Sequence, residues 1–174
     1  MRFDDPVFLF QFLPGIVATY YLVVAADTPE TGFELWRIDP TTSIPQLLRD
    51  IRPGPESSMI GRTVRVGNVL YFRADDGVNG AELWRTDGTA SGTHILADIR
   101  PGPAGSGRYW WSNFDPLIAL GQDIVLAADD GVHGYELFAV NTSTGQARLV
   151  RDLQPWTANF EGWRLPFFDF GGVA

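Results

Sequence analysis

Ala81-Glu82-Leu83-Trp84-Arg85-Thr86-Asp87-Gly88-Thr89 occurs three times in the chain in related form. It returns upstream as Phe33-Glu34-Leu35-Trp36-Arg37-Ile38-Asp39-Pro40-Thr41 and downstream as Tyr135-Glu136-Leu137-Phe138-Ala139-Val140-Asn141-Thr142. Asp27, Asp75 and Asp129 stand seven residues before Glu34, Glu82 and Glu136, and each Glu stands sixteen before Asp50, Asp98 and Asp152. The Glu-to-Glu period is 48 and then 54, so the length difference falls entirely in the linker after Asp98. Fixed internal spacing marks each copy as one folding unit, and length varies where it costs little, in the connections.

Each unit reads as short strands between turns. In the middle copy Thr63-Val64-Arg65-Val66, Asn68-Val69-Leu70-Tyr71-Phe72, Glu82-Leu83-Trp84-Arg85 and Thr93-His94-Ile95-Leu96-Ala97 alternate or run apolar. Gly67, Asp75–Gly80 and Asp87–Gly92 punctuate them. Period-two patterning with β-branched and aromatic residues predicts strands. No apolar stripe with helical spacing extends over ten residues free of Gly and Pro, so no helix is expected. Leu35, Leu83 and Leu137 alternate with Trp36, Trp84 and Phe138, which places them on opposite strand faces. The Asp-Gly pairs at 76–77, 87–88 and 130–131 suit turns that need positive φ.

Four strands in about 50 residues is the size of one propeller blade. The expected fold is therefore all-β, with three four-stranded propeller-like blades. The alternative is a β-trefoil-like barrel with threefold pseudosymmetry. The whole chain, 1–174, reads as one repeat domain, with copies at about 13–59, 60–107 and 108–162. Residues 163–174 read as the start of a fourth copy or a closing strand. Three blades do not close a ring, so assembly with another copy, membership of a longer protein, or closure as a barrel is expected.

The middle copy, Asp75-Asp76-Gly77-Val78-Asn79-Gly80-Ala81-Glu82-Leu83-Trp84-Arg85-Thr86-Asp87-Gly88-Thr89-Ala90-Ser91-Gly92-Thr93 with Leu96-Ala97-Asp98-Ile99-Arg100-Pro101-Gly102, resembles the bacterial ELWxxDGT repeat. The first copy departs from it at Asp27-Thr28-Pro29-Glu30 and Asp39-Pro40. The third departs at Phe138-Ala139-Val140-Asn141 and Gln154-Pro155-Trp156. The resemblance implies propeller-like repeats in secreted or cell-surface proteins, hence an extracellular location. It brings no catalytic residues.

The formal net charge is -8, and no Lys/Arg cluster exists of the kind that nucleic acid or an anionic membrane requires. Cysteine is absent, which removes a disulfide framework, a thiol nucleophile and a Cys metal site. Pro6 to Ala26 is uncharged over 21 residues. The acidic flank Asp4-Asp5 and the break at Pro14-Gly15 favour buried strands over a signal or membrane span. Gly15–Ala18 and Tyr20–Val24 are the expected first two strands of the first copy. The apolar Val7–Phe10 is an added strand, pairing with a neighbour or with the C-terminal strand.

Four groups of residues bear on function. Asp75, Asp76 and Glu82, with Asp129, Asp130 and Glu136 and the weaker set Asp27, Glu30 and Glu34, offer oxygen ligands for calcium in Gly-containing loops, although ordinary turns explain them as well. Asp50, Asp98 and Asp152 are read as turn caps or partners of Arg49 and Arg151. Tyr109, Trp110, Trp111, Trp156 and Trp163 gather in linkers, where aromatic rings serve packing, a protein interface or sugar stacking. His94 and His133 sit at non-equivalent places with no nucleophile beside them. The leading expectation is a non-catalytic structural or interaction module that self-associates through its blade edges. A lectin-like carbohydrate-binding module comes second. A glycoside hydrolase is third, with no catalytic pair to name.

Overall fold

The computed structural model describes residues 8–12, 19–107 and 117–152. Among them there is no helix, and twelve strands form three separate four-stranded antiparallel sheets. The first holds β1 (Phe8–Phe12), β2 (Thr19–Thr28), β3 (Gly32–Ile38) and β4 (Pro45–Arg49). The second holds β5 (Thr63–Val66), β6 (Val69–Asp75), β7 (Ala81–Thr86) and β8 (His94–Ala97). The third holds β9 (Leu117–Leu120), β10 (Asp123–Asp129), β11 (Tyr135–Asn141) and β12 (Ala147–Arg151). In each sheet, sequence neighbours are sheet neighbours. No sheet closes into a barrel among the described residues, so the threefold-barrel alternative finds no support.

The repeat register is copied from sheet to sheet. Trp36 pairs with Leu47, Trp84 with Ile95 and Phe138 with Leu149. One position earlier, Leu35, Leu83 and Leu137 pair with Arg49, Ala97 and Arg151. Each fourth strand therefore carries one extra residue at the same place: Leu48, Leu96 or Val150. Such a bulge re-aims a side chain without ending the ladder.

The first copy departs from its expected strands. The strand that pairs with β2 is Phe8–Phe12, Phe12 opposite Thr19, while the expected strand Gly15–Ala18 lies outside the described residues. Phe8–Phe10, expected as part of an added strand, thus belongs to the edge strand of the first sheet.

Strand alternation sends the second sheet's side chains in two directions. Leu70, Phe72, Ala74 and Trp84 pack with Val23, Leu35, Leu48 and Ile51 of the first sheet and its closing turn. Tyr71, Leu83, Ala97 and Ile99 pack with Leu117, Ile124, Leu126, Ala128, Phe138 and Val140 of the third. Each sheet thus has a forward face, toward the sheet that follows in the chain, and a rear face. The leucine of the repeat is on the forward face and the Trp or Phe on the rear one. Burial of both faces is why both positions are apolar.

Candidate functional site

The repeated acids, the sequence's main candidates, form the junctions between sheets. Glu34 is fully buried, and its carboxylate accepts the N–H groups of Ile51 and Arg52, both at 3.0 Å. Glu82 is equally buried and accepts from Ile99 at 3.0 Å and Arg100 at 3.2 Å. Each Glu thereby ties down the turn that leaves the fourth strand of its own sheet. That turn delivers an arginine to the next sheet. Arg52 Nη1 reaches Asp75 Oδ2 at 3.1 Å and Arg52 Nη2 reaches Glu56, and Arg100 Nη1 reaches Asp129.

A serine completes each junction. Ser58 donates from N and Oγ to the Phe33 carbonyl, and its own carbonyl accepts Asp75 N at 2.8 Å. Ser106 donates its N–H to the Ala81 carbonyl and its Oγ–H to Glu82 Oε2 at 2.6 Å. Its carbonyl accepts Asp129 N at 3.0 Å. Carboxylate acceptors for otherwise orphaned buried N–H groups are among the stronger hydrogen bonds available to a chain.

Burial pushes the Glu34 carboxyl up to about 7, against the N–H groups of Arg52 and Ile51 and the Ser58 hydroxyl, which pull it down; Asp50 adds a like charge. Glu82 is raised for the same reason, opposed by Ser106, Ile99 and Arg100. The junctions thus hold carboxyls that titrate above the ordinary carboxylate range.

The turns between second and third strands are built locally. Asp76 Oδ1 accepts from Val78 N and Asn79 N, and its Oδ2 accepts from Asn79 Nδ2 at 2.7 Å. Asp130 repeats this with Val132 N, His133 N and the His133 ring nitrogen Nδ1 at 2.7 Å. Burial opposes ionisation of Asp76 and Asp130, but these donors outweigh it and hold both below the usual range. The hydrogen bond to Asp130 raises His133. His133 is therefore the counterpart of Asn79, a turn residue.

Asp75, Asp76 and Glu82 thus face different partners, as do Asp129 and Asp130; Glu136 is buried on β11. Among the described residues no group of three or more acids or histidines is gathered as for a metal ion. In the first copy Asp27 and Glu30 are exposed, and only Glu34 enters a junction. His94 is an exposed residue of β8. Tyr109, Trp110, Trp111, Trp156 and Trp163 lie outside the described residues.

Arg52, Arg100, Ser58 and Ser106 were not among the sequence candidates. Their signal was the recurring Arg-Pro-Gly-Pro at 52–55 and 100–103, each followed by serine. Composition assigned these segments to loops, which they are. Their partners lie in another sheet, and no local pattern reveals that.

Comparison of the chain with protein-family models, curated proteins and solved structures finds no match.

Proposed function

We propose that this chain is a non-catalytic structural or interaction module, built as three propeller-like blades, that self-associates. The observation that carries the reading is the second sheet. It is covered on both faces by neighbours, and Glu, Arg, Asp and Ser form the same junction on each side of it. A unit stacked this way is stable only between neighbours, and stacks propagate by the same contacts. The second and third sheets approach each other chiefly along β5 and β9, an arrangement compatible with wedge-shaped blades around an axis. The repeat's resemblance to ELWxxDGT proteins supports an extracellular or surface location. No helix among the described residues is long and apolar enough to cross a membrane.

The repeated carboxylates Glu34, Glu82, Asp75 and Asp129 are committed to backbone N–H groups and arginines, which favours a structural role for them. Calcium and carbohydrate remain ligands to be tested. Static light scattering over a dilution series tests self-association. The module reading expects a mass above that of one 19.3 kDa chain that falls on dilution. A single-chain mass at every concentration, together with tryptophan fluorescence that responds to added glycans, would replace it with the lectin reading.

A further inference from the structure

We propose that Arg73 holds a small monovalent anion, of the size of chloride, between the second and third sheets. Arg73 is on β6 and faces Leu83 across the ladder, as Ala25 faces Leu35 and Ala127 faces Leu137. The repeat thus puts alanine at this position in two sheets and arginine in one. The side chain is not at the surface: Arg73 is 8% exposed. Its Nη2 crosses to the third sheet and donates to the carbonyl of Ala127, its own counterpart there. Nε and Nη1 are buried and have no hydrogen-bond partner among the described residues.

A second exception stands beside the first. Gly107 follows Ser106 as Met59 follows Ser58. A Cβ at 107 would lie 2.5 Å from Arg73 Nη1, so the linker has room for the guanidinium because it carries glycine there. The second junction therefore differs from the first in two ways at one place: an arginine arrives, and a side chain is missing where it arrives. The Glu, Arg and Asp of the junction keep to the repeat. Two departures that fit each other mark a built feature of this junction alone.

The charge is what calls for a ligand. A guanidinium does not lose its proton in a protein, so its burial cannot be relieved by neutralisation, as that of a carboxyl can. An unpaired charge in the interior is costly, and one neutral carbonyl does not offset it. None of the ion pairs among the described residues includes Arg73. The acids of the junction are engaged elsewhere. Asp75 meets Arg52, Asp129 meets Arg100, and Glu82 accepts two backbone N–H groups and the Ser106 hydroxyl. An anion from solution supplies the missing negative charge. The close quarters beside Gly107 favour a monatomic ion over a phosphate or an organic acid.

The test is melting of the full chain in sodium gluconate that is replaced stepwise by sodium chloride at constant ionic strength. Gluconate is too bulky for the position, so general screening is held fixed. The wild-type melting temperature should rise and saturate, by roughly 3–6 °C when chloride reaches about ten times its dissociation constant. Arg73→Met keeps much of the side chain's length and removes the charge, and its melting temperature should not respond. Chloride-35 NMR of the wild type reads the same site without a variant: the line should broaden, and bromide should reverse the broadening. A wild type whose melting is indifferent to the exchange, or a variant that shifts in parallel with it, would overturn the proposal. If Arg73→Met does not fold, a wild type that leaves the chloride-35 line unbroadened would overturn it as well.

Discussion

Arg52 of the first sheet's closing turn donates to Asp75 of the second sheet at 3.1 Å, and Arg100 makes the same contact with Asp129 one sheet later. The arginine is held in place by the buried Glu of its own repeat, through the backbone N–H of the arginine itself. Fixing the turn first makes the ion pair less costly in side-chain entropy than a free surface pair. A double-mutant cycle on Arg52→Ala and Asp75→Ala should give a coupling of about 0.5–1 kcal/mol, shrinking in high salt. The check is urea denaturation at two salt concentrations; a coupling of zero would leave the arginine as a mere linker residue.

Replacing the buried carboxylates should cost more. Glu82→Gln keeps the shape but puts an N–H₂ where a backbone N–H needs an acceptor. Leaving one such group unmet costs about 1–3 kcal/mol. The expected loss, read by urea denaturation, is larger than for Asp76→Asn, whose carboxylate serves a turn at the surface.

Titration of these junctions gives the pH dependence. The Glu34 carboxyl is pushed up to about 7 from an ordinary 4.5, so between those values the folded chain binds more protons than the unfolded one. Stability from this group is complete below 4.5 and is lost as pH rises through about 7. Glu82 and His133, both raised, act in the same direction. Asp76 and Asp130, both lowered, contribute in full above the ordinary carboxylate value of 3.8, and that contribution is lost as pH falls below it. The melting temperature should thus decline from about pH 5 to about pH 7.5, and the decline should be shallower in Glu34→Gln.

Much of this architecture was legible in the sequence, for identifiable reasons. Strand order and the opposed faces of Leu83 and Trp84 follow from local alternation, and local rules suffice for an antiparallel meander. The positive φ of Gly77, Gly88 and Gly131 was readable from Asp-Gly for the same reason. The pairing of Phe8–Phe12 with β2 was not legible, because no turn signal marks the start of the strand at Phe8. The role of Glu34 and Glu82 was missed for a different reason. An acid in a strand looks the same whether it faces solvent, a metal or seventeen residues away a buried N–H.

Glycine substitutions separate a local from a non-local cause. Gly67 and Gly80 both have positive φ, but a Cβ at Gly67 meets nothing within 4 Å, while one at Gly80 lies 2.5 Å from Gly105 N. Gly67→Ala should therefore cost only the backbone term, about 1–2 kcal/mol. Gly80→Ala must also displace the linker that carries Ser106, so its cost should be clearly greater in the same urea assay. Equal losses would mean that the linker yields freely.

Calcium offers a direct check on the acidic turns. Because Asp75, Asp76 and Asp130 spend oxygens on N–H groups, chelator should leave the melting temperature unchanged, and calcium should not raise it. A rise that saturates with calcium would establish a site that the turn geometry does not foreshadow.

Small-angle X-ray scattering, on material whose mass has been fixed by light scattering, tests the central claim most directly. A self-associating module of stacked sheets should give a compact particle of more than one chain, with a pair-distance distribution fitted by sheets stacked face to face. A single-chain particle, or a two-chain particle elongated with its sheets end to end, would contradict the account.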